Sequence, residues 1–154
     1  MKKKFLILGL GNILMGDEGV GVRCIEYLKK QNLPTHADLL DGGTGGFHLL
    51  SYFQEYRRMI IIDATIGNGP PGELRKLKPA FAADFPRTLT SHDIGLRDLV
   101  QSAELLETLP EIDLICISIK DGNTMGMGIS KGLEGILPRI YKEVLEIIQK
   151  DASE

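Results

Sequence analysis

Four acidic side chains and one histidine stand where they could do chemistry. Asp17 and Glu18 are adjacent in "GLGNILMGDEG" (residues 9–19), Asp41 closes "ADLLD", Asp63 follows the apolar run "MIII", and His92 sits in "TSHDIGL". Carboxylates gathered at one place repel. Two unit charges about 5 Å apart cost about 3 kcal/mol at an effective dielectric near 20. A shared proton or a bound cation relieves that cost. One imidazole with two carboxylates is a mixed nitrogen–oxygen donor set that suits a borderline divalent ion such as nickel, zinc or iron, whereas calcium asks for more oxygens. Each residue also has a structural alternative. Asp17 is a good helix N-cap, and Glu18 in a first turn suits the helix dipole. A lone histidine is more often structural than a ligand. His36 at a strand start and His48 among the apolar neighbours of "GGFHLL" read that way. His92 differs because the segment before it, 79–91, has no strong periodicity, and long irregular segments in compact domains are often functional.

The glycines invite comparison with nucleotide loops. Gly9 and Gly11 supply the first two glycines of a dinucleotide fingerprint, but Leu14 occupies the third position. An acidic pair at the helix start would repel a pyrophosphate, and the Gly-Lys-Ser/Thr of a P-loop is absent. Nucleotide binding is set aside.

The elements that must position these residues follow from the hydrophobic pattern. "FLIL" (5–8), "MIII" (59–62) and "LICI" (114–117) are continuous apolar runs, the mark of strands buried on both faces of a mostly parallel sheet. "HADLLDGG" (36–43) is a weaker strand ending in a turn, and the polar "GELRKLK" (72–78) after "NGPPG" belongs at a sheet edge. Helices are predicted over 17–31, with Val20, Cys24 and Leu28 on one stripe and Ile25 beside it, and over 44–55. A third runs over 91–106 and holds Ile94, Leu99 and Leu105. The last, near 130–149, puts Leu133, Leu137, Ile140, Val144 and Ile147 on one face, with Pro138 kinking it or marking a late start. The order β-α-β-α-β-β-α-β-α implies an α/β three-layer sandwich, a twisted, mostly parallel sheet flanked by helices, in a single domain over 1–154. In such a sheet the loops after the strands' carboxyl ends share a crevice. Glu18, Asp41 and Asp63 all fall on that rim.

Composition bounds the rest. The chain has 154 residues, 43% hydrophobic and 25% charged, with a net charge of -3 that argues against nucleic acid. Cys24 and Cys116 form neither a disulfide framework nor a zinc knuckle, and both fall on core stripes, so neither reads as a nucleophile. The basic start is not read as a signal peptide, because Gly9, Gly11 and Asn12 interrupt the apolar run. No run reaches the roughly 18 apolar residues of a membrane span. The reading is a cytoplasmic protein with no nucleic-acid or membrane partner.

"GLGNILMGDEGVGV", "DGGTGG", "IIIDAT" followed by "PPGEL", and "TSHDIGL" resemble, in order and spacing, the nickel–iron hydrogenase maturation endopeptidases, over roughly residues 4–148. The resemblance implies a five-stranded twisted sheet between helices and a monomer. It implies cleavage of a short C-terminal extension from a hydrogenase large-subunit precursor after nickel insertion. It maps metal ligation onto Glu18, Asp63 and His92, and gives Asp41 a part in recognition or cleavage. Nickel is then the cofactor, supplied by the precursor, with other divalent ions able to substitute in vitro. A carboxylate, Asp41 or Asp63, orients or deprotonates the attacking water, and the ion docks the substrate or polarises the carbonyl. The chain departs from the family pattern at "KDGNTMGMGISKGL". Gly128-Ile129-Ser130 looks like the family's Gly-Leu-Ser helix start, but Lys120 and Asp121 do not match, and Met125 and Met127 are either a flexible docking surface or exposed without a role. Two other readings use the same features. One is a nickel-precursor checkpoint or chaperone that does not cut. The other is a peptidyl-tRNA hydrolase-like esterase, which shares "GLGN" but needs a Pro-Gly turn and an Arg-His-Asn motif absent here.

Overall fold

The computed structural model describes residues 3–66, 69–85, 94–120, 126 and 128–152. Its sheet has five strands: β1 (Lys3–Gly9), β2 (Ala37–Asp41), β3 (Tyr56–Ile66), β4 (Leu74–Leu77) and β5 (Glu111–Ile119). They lie in the order β2-β1-β3-β5-β4, with β4 antiparallel to β5 and every other pair parallel. The polar segment is thus an edge strand, as its pattern predicts, and the weaker strand "ADLLD" forms the other edge.

Alternation along the strands builds two cores. Phe5, Ile7, Ile60, Ile62, Ile115 and Ile117 face helices α1 (Val20–Leu28) and α5 (Ile136–Ala152). Leu6, Leu8, Met59, Ile61, Leu114 and Cys116 face α2 (Leu50–Glu55) and α3 (Ile94–Leu105). Successive residues of "MIII" are all apolar because both faces of the sheet are covered. The result is the three-layer α/β sandwich with five strands that the pattern implies.

The helices depart from expectation where backbone packing overrides side-chain pattern. The predicted 130–149 helix is two, a short α4 (Lys131–Glu134) and α5, with Pro138 in the first turn of α5, where its missing N–H costs nothing. Leu133, Ile136, Ile140, Val144 and Ile148 form the buried stripe, with Leu137 and Ile147 at its margin. Among the described side chains of α3, which leave out Ile94, the buried ones are Leu96, Leu99, Val100 and Ala103, whereas Leu105 is 85% exposed. Its position at the helix end turns it away from the sheet. The helix expected from residue 17 is instead a four-residue 3-10 turn, Gly16–Gly19, followed by α1. Asp17 caps neither: the N-cap residues are Met15 and Gly19, with no side-chain cap bond at either.

The reason lies at Gly21. A Cβ there would stand 2.1 Å from the Leu10 carbonyl oxygen and 2.4 Å from that of Ile62. The first turn of α1 is pressed against the ends of β1 and β3, backbone on backbone, and the 3-10 turn delivers the chain to that contact. Gly21→Ala should therefore destabilise the protein by at least about 2 kcal/mol, because rigid backbone must move. Gly132→Ala in α4, where a Cβ meets nothing within 4 Å, should be neutral or stabilising by up to about 1 kcal/mol. Urea denaturation of the two variants checks the pair. Equal effects would contradict the close-packing account.

Candidate functional site

The crevice forms where neighbouring strands part company. From β1 the chain goes to β2 on one side and β3 on the other, so the sheet's switch point lies between β1 and β3. The last β1–β3 partners are Gly9 and Ile62, and the Leu10 N–H donates to the Ile62 carbonyl at 3.0 Å. β3 then continues to Ile66 beside β5. Asp63 is the first residue past the point where β1 leaves, at the floor of the crevice. It is fully buried, and its Oδ1 accepts the Ala64 N–H at 2.8 Å. Strand alternation puts it on the face of Met59 and Ile61, beneath α2 and α3.

Glu18 reaches the same crevice from the loop after β1. It is buried, 3% exposed. Gly11, with φ +152°, runs so close that a Cβ on it would lie 2.3 Å from the Glu18 carbonyl oxygen. Three residues after Glu18, Gly21 touches the Ile62 carbonyl, next to Asp63. Two buried acidic residues, 45 positions apart in the chain, thereby lie on neighbouring elements at the point where β1 leaves β3.

Asp41 ends β2 in register with Gly9. At a spacing of 4.7–4.9 Å per strand, β2 lies about 10 Å from β3. Asp41 is exposed, and its Oδ1 accepts the Gly43 N–H at 2.8 Å, closing the "DGG" turn. The Gly43 carbonyl in turn accepts the Gly11 N–H at 2.8 Å, tying this turn to the loop that carries Glu18. The first turn of α3 arrives at the same rim: the Leu96 nitrogen lies 3.8 Å from where a Gly45 Cβ would be. His92 lies outside the described residues, as do Asp121, Met125 and Met127. Among the described residues no three His, Cys, Asp or Glu side chains are grouped to hold a metal ion.

The remaining candidates behave as structural residues. The His36 ring tilts against Phe5 with centroids 6.3 Å apart. His48 is exposed, not packed among the apolar residues that flank it in sequence, because the 3-10 turn Phe47–Leu49 points Leu49 inward instead. Cys24 and Cys116 are buried free thiols, and burial pushes Cys24 up to about 12. A thiol so far from ionising is no nucleophile at neutral pH. A cavity of about 960 Å³ opens at the other end of the sheet, where β3 and β5 begin. Its buried Arg58 is already engaged by Asp113 at 3.0 Å, Glu111 at 3.1 Å and Asp151, so it offers no free charge to a substrate. No helix among the described residues is long and apolar enough to cross a membrane.

A parallel α/β sheet with buried carboxylates at its switch point defines a class of site, and comparison with known proteins gives the family. The hydrogenase maturation protease family model matches residues 22–147, a span that includes Asp41, Asp63 and His92 and begins just after Glu18. The hydrogenase 2 maturation protease of Escherichia coli K12 is 29% identical over 154 residues, covering 98% of this chain and 94% of that protein. The hydrogenase expression/formation protein HupD of Rhodobacter capsulatus is 36% identical over 113 residues, covering 70% of this chain. The chain spans 53% of that relative's length and 58% of the HupD of Bradyrhizobium diazoefficiens. Among solved structures, the hydrogenase maturating endopeptidase HybD from E. coli superposes with a TM-score of 0.86 at 29% identity, over 98% of this chain and 94% of that one. A hydrogenase 2 maturation peptidase from a Thaumarchaeota archaeon gives 0.72 at 31% identity, over 95% and 98%. The chain belongs to the hydrogenase maturation protease family.

The raised Cys24 pKa has a measurable consequence. Above about pH 9 the unfolded chain's thiol loses its proton while the native one keeps it until about 12. The stability this thiol contributes is complete below pH 9 and is lost as pH rises, at about 1.4 kcal/mol per unit. Denaturation between pH 8 and 10.5 should show that fall, and Cys24→Ala should flatten it. An unchanged slope in the variant would contradict the assignment.

Proposed function

We propose that this protein is an endopeptidase that removes the C-terminal extension of a nickel–iron hydrogenase large-subunit precursor once nickel has been inserted. What supports the reading is that Glu18 and Asp63 are both buried and that the turn bearing Glu18 packs against β3, in a member of this family. The ion belongs to the substrate. Glu18 and Asp63 supply oxygen donors to it and His92 a nitrogen, a set that suits nickel. His92 precedes α3 by two residues, and the described start of that helix lies on the same rim.

Asp41 is the carboxylate we assign to the attacking water. It stands about 10 Å from β3, the length of about three extended residues. A peptide anchored by its metal at Glu18 and Asp63 can thus reach Asp41 with its scissile bond. Asp41 takes a proton from water, the hydroxide oxygen bonds to the carbonyl carbon, the C–N bond breaks, and the proton passes to the departing amine. Selectivity follows from docking: a precursor without nickel presents nothing for the three ligands to hold.

With purified protein and nickel-loaded precursor, Glu18→Gln and His92→Ala should each abolish processing, read by mass spectrometry, with the fold intact. Asp41→Asn should still bind the loaded precursor but not cut it. Wild-type rates in both ligand variants, or efficient cleavage of nickel-free precursor, would refute the model. Binding by the wild type with no loss of the C-terminal peptide would favour a checkpoint protein instead.

A further inference from the structure

Glu18 belongs to a short turn that is braced from both sides. The 3-10 turn Gly16–Gly19 has no side-chain cap, and the Glu18 N–H reaches the Met15 carbonyl at 3.2 Å. On its inner side the turn is fixed by the close contact of Gly11 with the Glu18 carbonyl. On its outer side it is held by a segment more than 100 positions away. The Gly16 N–H donates to the Gly126 carbonyl at 2.8 Å, and the Gly126 N–H donates to the Leu14 carbonyl at 2.9 Å. Beside that bridge Asp17 uses both carboxylate oxygens on one residue. Oδ1 accepts the Ser130 N–H at 2.7 Å, and Oδ2 accepts the Ser130 hydroxyl at 3.0 Å. Ser130 is the N-cap residue of α4 but makes no side-chain cap bond of its own. The two acidic neighbours are thus divided: Glu18 is buried toward the crevice while Asp17 reaches outward to Ser130.

We propose that Asp17 and Ser130 form a latch that fixes the turn bearing Glu18, making Asp17 a positioning residue for the reaction while its own carboxylate touches neither metal nor peptide. The inference rests on the endopeptidase reading given above. Two hydrogen bonds at a solvent-exposed position add little to global stability, because water replaces them on opening. They bear strongly on placement, because a ligand displaced by an ångström costs rate out of proportion to stability. The latch and the Gly126 bridge together tie Gly126 and Ser130 to the turn that carries Glu18.

Single-turnover processing of nickel-loaded precursor tests this, with thermal melting as a fold control and Glu18→Gln as the inactive reference. Asp17→Ala should lower kcat by about tenfold or more with a KM change under about threefold, while Tm hardly moves. Ser130→Ala should lose part of the same activity, and the double variant should be no worse than Asp17→Ala. Asp17→Asn keeps an acceptor for the Ser130 N–H and can donate to its hydroxyl, so it should recover most of the rate, as should Ser130→Thr. Wild-type kcat in Asp17→Ala, or independent additive losses in the double variant, would overturn the latch. If Asp17→Asn is as inactive as Asp17→Ala, the charge acts directly and the positioning role is wrong. Should Asp17→Ala not fold, Ser130→Ala with an undiminished rate refutes the proposal and a lowered rate rescued by Ser130→Thr supports it. Loss of processing in Glu18→Gln with none in the latch variants would leave the endopeptidase reading standing and remove only the latch.

Discussion

Contact between bare backbones at Gly21 is the constraint on which the site depends. A helix that follows a strand ordinarily stands off from the sheet by the thickness of its side chains, about 10 Å between axes. Here the first turn of α1 comes down onto the Leu10 and Ile62 carbonyls through a position that has no side chain. That approach sets the turn bearing Glu18 beside β3 at the point where β1 leaves it, one residue before Asp63. A side chain at residue 21 would collide with both carbonyls, so the approach requires glycine. Gly11, in the loop just after β1, performs the matching service, passing the Glu18 carbonyl without a Cβ. The glycines that resemble a phosphate cradle serve to bring an acid close, not to admit an anion.

Burial gives that closeness its chemical meaning. A carboxylate removed from water costs several kcal/mol unless hydrogen bonds or an opposite charge compensate. Glu18 and Asp63 both have partners within the fold, and Asp63 takes the Ala64 N–H on one oxygen. On the proposed reading the two groups anchor the cation that the precursor carries. The exposed Asp41, held in its own turn at the sheet's edge strand, suits a different task, since it meets water in the resting molecule. One rim therefore presents an anchoring end and a water-facing end, and the strand spacing sets the distance between them.

Much of this was legible in the amino-acid sequence. Continuous runs such as "MIII" marked strands covered on both sides, and the polar "LRKL" marked an edge. The order of elements then placed Glu18, Asp41 and Asp63 on a common rim. The failures share a cause. A 3-10 turn and a missing Cβ are dictated by backbone contact with β1 and β3, which periodicity does not record, so Asp17 read as an N-cap. Its pairing with Ser130 joins positions remote in the chain, and the only local signal was that "GIS" resembles a helix start. Leu105 was misjudged because sequence neighbours do not reveal which way the last residue of a helix will face.

Affinity for the precursor with and without its metal bears most directly on the central claim that Glu18 and Asp63 are held together to grip a substrate-borne ion. Titration calorimetry of the Asp41→Asn protein, which should bind without cutting, against nickel-loaded and nickel-free precursor measures it. The account predicts binding at least a hundredfold tighter for the loaded form, about 2.7 kcal/mol, and loss of that difference when Glu18→Gln is added. Equal affinity for the two forms would contradict it.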